Sequence, residues 1–267
     1  MNIVTSQDGT KIAYDADGQG PAVIFVDGAL NSRSFSLAAP IAKQMAKGFT
    51  VYTYDRRGRG DSGDTLPWSL DREIEDLDAL IEAAGGSAYV LGLSSGALLV
   101  LEAAEKIGHK MKKLALYEAP MIVDDSRPPL GAANLEATKR LIAADKRDDA
   151  LKRFMRSVEV PSVMLFLMRL MPAWKSVRKV AHTLVYDLEI ASPYQEGKPL
   201  PQNHWSHATM PVWVGVGGKS SVWMTNAQKA LAEVLPNATL HVLPGQTHIV
   251  QPSAIAPELE RFFSQPQ

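Results

Sequence analysis

Short apolar runs rich in β-branched residues alternate with longer amphipathic stretches along most of the chain. Several of the runs end at Gly, Asp, Ser or Glu, which is typical of strands that lead into turns. The first two runs alternate in polarity and are expected to pair as a hairpin. We predict strands over residues 2–5, 10–14, 22–26, 50–54, 88–93, 113–117, 212–216 and 239–243.

Amphipathic stretches between these runs predict helices. The stretch 70–84 shows the pattern well, since Ile74, Leu77 and Ile81 share one face while carboxylates occupy the other. We predict such helices over residues 35–46, 70–84, 95–107, 222–235 and 254–263. Buried strands that alternate with helices indicate an α/β fold with a mostly parallel sheet covered on both faces. In such sheets ligands bind at the carboxyl ends of the strands, where Asp27, Ser94 and Glu118 are expected.

The segment from 121 to 209 departs from this alternation. It has helical periodicity at 132–144, 147–158, 162–170 and 174–186, with prolines between the stretches and no convincing strand. We therefore predict two parts, a core of residues 1–120 and 210–267 and a helical cap of residues 121–209.

Composition narrows the function classes. The chain has 267 residues, a formal net charge of -1 and no cysteine, so neither disulfides nor a thiolate site are available. No basic field is present to attract nucleic acid. The sequence shows no signal peptide and no apolar run long enough to span a membrane. We expect a cytoplasmic protein that acts on a small-molecule substrate, without nucleic-acid or membrane partners; oligomeric state is left open.

The run Gly92-Leu93-Ser94-Ser95-Gly96 fits the G-x-S-x-G pattern of a nucleophile elbow. An apolar strand precedes it and an Ala/Leu-rich helix follows, as such a turn requires. Small residues two positions on either side of the serine let the strand and helix approach closely. A glycine-rich helix start is the alternative interpretation. The pattern predicts Ser94 as a nucleophile.

A serine hydroxyl needs a neighbouring base to take its proton. His248 follows the last predicted strand and precedes the last helix, and histidine titrates near operating pH. We therefore predict His248 as the general base, with a surface histidine as the alternative. The competing histidines are His109, His182, His204, His207 and His241.

Two further segments complete a set of four motifs. Tyr54-Asp55-Arg56-Arg57-Gly58-Arg59-Gly60-Asp61-Ser62 resembles the D-x-R-G-x-G-x-S segment of the α/β-hydrolase superfamily, and Val26-Asp27-Gly28-Ala29 resembles its oxyanion loop. With the elbow and the late histidine, the resemblance covers nearly the whole chain. It implies an oxyanion hole built from the backbone N–H groups of Ala29 and Ser95, and it implies neither metal nor cofactor.

The chain departs from the superfamily pattern at two positions. Asp27 stands where the oxyanion loop usually has histidine, and we expect its carboxylate to point away from the oxyanion or to hold a neighbouring loop. Ser220 stands where the triad aspartate is usual, and no carboxylate occurs between residues 210 and 226.

Glu118, at the end of the strand after the nucleophile helix, is our candidate for the missing acid. A subset of haloalkane dehalogenases in the same superfamily resembles this chain in placing its acid at that strand end. The alternatives are Asp124, Asp125, a Ser–His dyad without an acid, or a purely structural Glu118.

The predicted cap is rich in methionine and aromatic residues, which suit irregular apolar pockets. Most are expected to be core contacts, and we assign Met121, Met164, Met168 and Trp174 to a substrate pocket. The expected function is hydrolysis of a small apolar carboxylic ester through an acyl-enzyme. The alternatives are a lactonase, perhydrolase, amidase or C–C bond hydrolase on the same fold, or a non-catalytic protein that binds a small ligand.

Overall fold

A computed structural model describes residues 1–36 and 38–266, and this part of the chain contains one eight-stranded sheet. Its order is β1-β2-β4-β3-β5-β6-β7-β8. Strands β1, β2 and β4 pair antiparallel, and every other neighbouring pair is parallel. The strands are β1 Asn2–Thr5, β2 Lys11–Asp17, β3 Ala22–Val26, β4 Thr50–Tyr54, β5 Ala88–Leu93, β6 Met111–Tyr117, β7 Val212–Gly217 and β8 Ala238–Leu243.

Helices cover both faces of the sheet. One apolar cluster joins the sheet to α2, α3 and α9, and a second joins the opposite face to α1 and α10. Coverage on both faces explains why β3 and β5 are almost continuously apolar. The helices are α1 Ala39–Met45, α2 Leu70–Ala83, α3 Ser95–Ile107, α4 Gly131–Ala143, α5 Arg147–Ser157, α6 Ser162–Leu170, α7 Ala173–Lys179, α8 Leu184–Ala191, α9 Val222–Val234 and α10 Pro252–Ser264.

The predicted fold class is confirmed, and two predicted helices differ from the observed ones by more than a residue or two at an end. The first begins at Ala39 instead of residue 35, because the backbones of Ser32 and Phe35 pair in a tight turn and Pro40 suits a first helical turn. Residue 37 of that prediction lies outside the described residues. The predicted helix 174–186 is two helices, α7 and α8, separated by a short 3₁₀ turn at Ala181–Thr183.

Segment 121–209 contains five helices, α4 to α8, and no strand. Part of it packs on the loop after β3, where Ala29 and Leu30 join an apolar cluster with residues of α5, α6, α7 and α8. Its division from the core as a cap stays a prediction. Among the described helices, none is long and apolar enough to cross a membrane.

Candidate functional site

Ser94 occupies a strained turn between β5 and α3. Its backbone has φ 54° and ψ -126°, a conformation that non-glycine residues rarely adopt. The flanking glycines make the turn possible: a Cβ at Gly92 would lie 2.6 Å from Ala97 Cα, and one at Gly96 would lie 2.2 Å from the Val26 carbonyl oxygen. Any larger residue would push the helix away from the sheet, so the G-x-S-x-G spacing is a steric requirement of this turn.

Glu118 and His248 form the second part of the site. Glu118 follows β6, the strand beside β5, and is fully buried. Its Oε2 lies 2.8 Å from Nδ1 of His248, whose side chain is 46% exposed. The Tyr117 hydroxyl donates to the Thr247 carbonyl at 2.6 Å and so ties the histidine loop to the end of β6. A buried carboxylate on one ring nitrogen sets the orientation of the imidazole and leaves Nε2 for proton transfer.

The other oxygen of Glu118 is held by the end of β7. Oε1 accepts a hydrogen bond from the Gly217 backbone N–H at 2.8 Å and another from the Ser220 hydroxyl. Ser220 is the residue at the usual position of the triad aspartate. In this chain that position therefore donates a hydrogen bond to a carboxylate from the neighbouring strand. A carboxylate that accepts three hydrogen bonds is fixed in place.

Ser94 lies close to the loop after β3. A Cβ placed on Gly28 would be 3.0 Å from Ser94 Cβ and 3.6 Å from its Oγ, so only glycine leaves space beside the hydroxyl. Although both residues are described, Ser94 Oγ and the His248 ring form no hydrogen bond in this structure. Such contacts are often long in the absence of substrate and tighten when it binds.

The two proposed oxyanion donors form no hydrogen bond within the described part of the chain. In the described part of the chain, neither the Ala29 nor the Ser95 backbone N–H donates to a protein acceptor. The Ser95 N–H belongs to the first turn of α3, where N–H groups have no partner within the helix. Two N–H groups without a protein acceptor, one directly after Ser94 and one in the loop after β3, are compatible with the predicted assignment, which remains a prediction.

Asp27 forms hydrogen bonds within its own loop, whereas the sequence led us to expect a carboxylate that points away or holds a neighbouring loop. Its Oδ1 accepts from the Gly28 N–H at 2.8 Å, and its Oδ2 accepts from the Ser36 hydroxyl. Burial raises the pKa of this carboxyl above its ordinary value of 3.8, although the hydrogen bonds from Ser36 and Gly28 act in the opposite direction.

A buried ion cluster behind the oxyanion loop was not anticipated. Arg56 pairs with Glu73 at 2.7 Å and with Asp187 of α8 at 2.7 Å, and Arg59 pairs with the second oxygen of Asp187 at 2.7 Å. All four side chains are buried. Asp187 stands out in the sequence only as one acidic residue inside the apolar run 184–188, a pattern that does not by itself indicate a functional site.

The four predicted pocket residues lie in different surroundings. Met121 is buried in the large cluster around α3, and Met164 is 53% exposed on α6. Met168 and Trp174 share a cluster with Ala29 of the oxyanion loop, and Trp174 Nε1 donates to Asp148 at 2.7 Å. The structure thus brings two of the four next to the loop, and the pocket assignment stays a prediction.

A family model described as "Alpha/beta hydrolase family" matches residues 23–258. The chain belongs to the alpha/beta hydrolase family. The sheet order and the elbow at Ser94 agree with this membership, and hydrolysis is the chemistry it supports. Within residues 1–36 and 38–266 there is no group of three or more acidic or histidine side chains arranged to hold a metal ion.

Individual proteins resemble the chain to different degrees. An alpha/beta hydrolase from Sphaerobacter thermophilus DSM 20745 is 43% identical to this chain, with a TM-score of 0.89. The match covers 98% of this chain and 100% of the other. The enol-lactonase from Burkholderia xenovorans LB400 has 18% identity and a TM-score of 0.71, covering 99% and 100%, and so shows the fold alone. The uncharacterized hydrolase YraK of Bacillus subtilis (strain 168) is 31% identical over 98 residues, which span only 35% of each chain.

Proposed function

We propose that this alpha/beta hydrolase cleaves small apolar carboxylic esters through an acyl-enzyme on Ser94. The observation that carries the proposal is the 2.8 Å hydrogen bond between buried Glu118 and His248 Nδ1. Without an orienting acid, a serine–histidine pair loses roughly 10⁴-fold in turnover. A glutamate turned away from the histidine would have favoured a protein that only binds a ligand, so the observed contact supports catalysis.

In the proposed first half-reaction, Ser94 Oγ forms a bond to the ester carbonyl carbon while its proton passes to His248 Nε2. The carbonyl electron pair moves to oxygen, and the N–H groups of Ala29 and Ser95 bind that oxyanion. Each such donor is worth roughly 2.7–4 kcal/mol in the transition state. When the intermediate collapses, the C–O bond to the alcohol breaks and His248 protonates the leaving alkoxide.

In the second half-reaction, water attacks the acyl carbon and gives a proton to His248. The bond to Ser94 then breaks, the carboxylic acid leaves and the serine recovers its proton. Glu118 stabilises the imidazolium that forms twice per turnover. Apolar side chains of the α5–α8 cluster beside Ala29, Met168 and Trp174 among them, support an apolar acyl or alcohol group in the substrate.

Intact-mass analysis after incubation with a fluorophosphonate tests this proposal, together with hydrolysis of p-nitrophenyl esters of two to eight carbons. We expect one adduct per chain in the wild type and in Ser95→Ala, which keeps the nucleophile, and none in Ser94→Ala. A folded wild-type protein that forms no adduct would contradict the proposal and point to ligand binding. Product analysis with amide, lactone and peracid substrates separates the ester reaction from its alternatives.

A further inference from the structure

The buried carboxylate of Asp187 contacts Ser95, whose backbone N–H is one of the two proposed oxyanion donors, and two arginines of the segment after β4. Its Oδ1 accepts from the Ser95 hydroxyl at 2.8 Å and from Arg56 at 2.7 Å. Its Oδ2 accepts from Arg59 at 2.7 Å. Asp187 comes from α8, 92 positions along the chain from Ser95, so this contact joins the helical segment to the nucleophile turn.

Arg59 continues the network to the other donor. Its second terminal nitrogen donates to the Gly28 carbonyl oxygen at 2.7 Å, and its Nε donates to the Thr183 hydroxyl at 3.2 Å. The Gly28 carbonyl and the Ala29 N–H belong to the same peptide group. Because that group is planar and trans, fixing its oxygen also fixes the direction of its N–H.

We propose that Arg59, held by Asp187, is a positioning residue that aims the Ala29 N–H at the oxyanion, while the same Asp187 holds Ser95. This assignment rests on the proposed function, since it gives the network a role only if an oxyanion forms on Ser94. The Asp187 carboxylate then orients both proposed oxyanion donors. It acts on Ser95 through the serine hydroxyl, and on the Ala29 N–H through the Arg59 guanidinium and the Gly28–Ala29 peptide.

The chemistry of the network suits this role. Burial by itself would raise the pKa of Asp187, but the guanidinium groups of Arg59 and Arg56 overcome that effect and hold the pKa below its ordinary value. Asp187 is therefore a fixed anion in a site shielded from water. A charge-assisted hydrogen bond to the Gly28 carbonyl also polarises the peptide and strengthens its N–H as a donor.

The network also explains how α8 is attached. Asp187 reaches the core through buried pairs with Arg56 and Arg59, and its helix contacts α2 and α3. In contrast, α6 of the same segment exposes most of its apolar side chains. We therefore expect α8 to move with the core and to form part of the site in every state that hydrolyses substrate.

Arg57 provides a matched control for Arg59. It is equally buried and lies two positions away in the same motif, but it pairs with Asp76 at 2.7 Å, Asp8 at 3.0 Å and the Arg72 carbonyl at 2.8 Å. None of these partners belongs to the oxyanion loop. Arginine to lysine removes one forked guanidinium at either position. We therefore expect a similar loss of folding stability from Arg57→Lys and Arg59→Lys.

The test measures kcat and KM with a p-nitrophenyl ester, active sites counted by fluorophosphonate labelling, and inhibition by an aryl trifluoromethyl ketone. Ser94 adds to that ketone to form an oxyanion, so its inhibition constant reports on the hole. For Arg59→Lys we expect kcat per active site to fall about 10- to 100-fold with KM within about twofold, and ketone affinity to fall by a similar factor. Arg57→Lys should keep both values per active site.

Ser95→Ala is a milder second variant, because it removes only the hydroxyl that donates to Asp187 and keeps the backbone N–H. We expect kcat to fall about three- to tenfold. The positioning proposal is wrong if wild-type enzyme is active and folded Arg59→Lys keeps full kcat and ketone affinity. Where Arg59→Lys does not fold, the same result for Ser95→Ala leads to the same conclusion. In either case the proposed function stands. A wild type that neither labels nor hydrolyses esters overturns both.

Discussion

Strand β5, which leads into the turn at Ser94, is flanked by β3 and β6, and a carboxylate follows each of these neighbours. Asp27 follows β3 and Glu118 follows β6. Each accepts one backbone N–H, from Gly28 or Gly217, and one serine hydroxyl. Two regions of the molecule thus build nearly the same carboxylate environment on opposite sides of Ser94.

The third partner distinguishes them. Oε2 of Glu118 lies 2.8 Å from Nδ1 of His248, whereas both carboxylate oxygens of Asp27 accept hydrogen bonds within its own loop. The extra methylene of glutamate lets the carboxylate reach past its strand end to a loop 130 positions later. A buried carboxylate with good donors is therefore not by itself a candidate catalytic group; its contact with His248 is what makes Glu118 the proposed triad acid.

Glu118→Gln tests this distinction with the largest expected effect. The amide keeps the volume of the side chain but favours the wrong imidazole tautomer, so kcat should fall about 10³- to 10⁴-fold. Steady-state kinetics with a p-nitrophenyl ester measures the fall, and the melting temperature monitors folding. Ser220→Ala is the companion variant, since it removes one donor to Glu118 and leaves the acid; its loss should be mild. Comparable activity in Glu118→Gln and wild type would remove Glu118 from the proposed triad.

Moving the acid from the end of β6 to position 220, after β7, tests whether the strand that supplies it matters, with an effect on kcat of intermediate size. The Ser220 hydroxyl donates to Glu118, so position 220 faces the same space as the carboxylate. We expect the double variant Glu118→Ala, Ser220→Asp to regain about tenfold or more of the kcat that Glu118→Ala loses, because an aspartate there can orient the same ring nitrogen. Glu118→Ala with Ser220→Asn is the control for volume. Equal kcat in the two double variants would show that the acid works only from β6.

Asp27→Asn should have the smallest effect on catalysis, with kcat within about threefold of wild type because an amide oxygen can still accept the Gly28 N–H. Its effect on stability has a defined sign. The folded-state pKa of Asp27 is raised above 3.8, so ionisation opposes folding above that pKa. The asparagine variant should therefore melt at a higher temperature than wild type at pH 7.

The pH profile of that difference provides the check. It should shrink as the pH falls through the folded-state pKa of Asp27 and vanish below the ordinary value of 3.8, where the carboxyl is neutral in both states. Thermal melting of both proteins from pH 3 to pH 8 measures it. A lower melting temperature for the variant at pH 7, or a difference that does not depend on pH, would mean that the loop needs the charge.

Much of the site was predictable from the sequence because its elements are local. The elbow lies within five consecutive residues, and its glycines are required by contacts between neighbours in the chain. The alternation of apolar strands and helices also reports on each element separately, which is why the fold class was correct. His248 could be placed at the correct edge of the sheet by its position between the last strand and the last helix.

Long-range contacts were much harder to predict. Glu118 was only one of several candidate acids, since its contact with His248 joins two strand-end loops that the sequence separates. Asp187 gave almost no signal, because one acidic residue in an apolar helix does not indicate where its partners lie. The late start of α1 and the break between α7 and α8 arose from turn contacts that outweigh helical periodicity.

The sequence by itself determined the order of strands and helices, the strained serine turn and the presence of a histidine after the last strand, because each depends on residues adjacent in the chain. Only the tertiary structure decided that Glu118 faces the histidine, that Ser220 donates to it, and that Asp187 and Arg59 stand behind the oxyanion loop. Buried charges require partners, but any distant residue can supply them, and which one does so depends on how the sheet and helices pack.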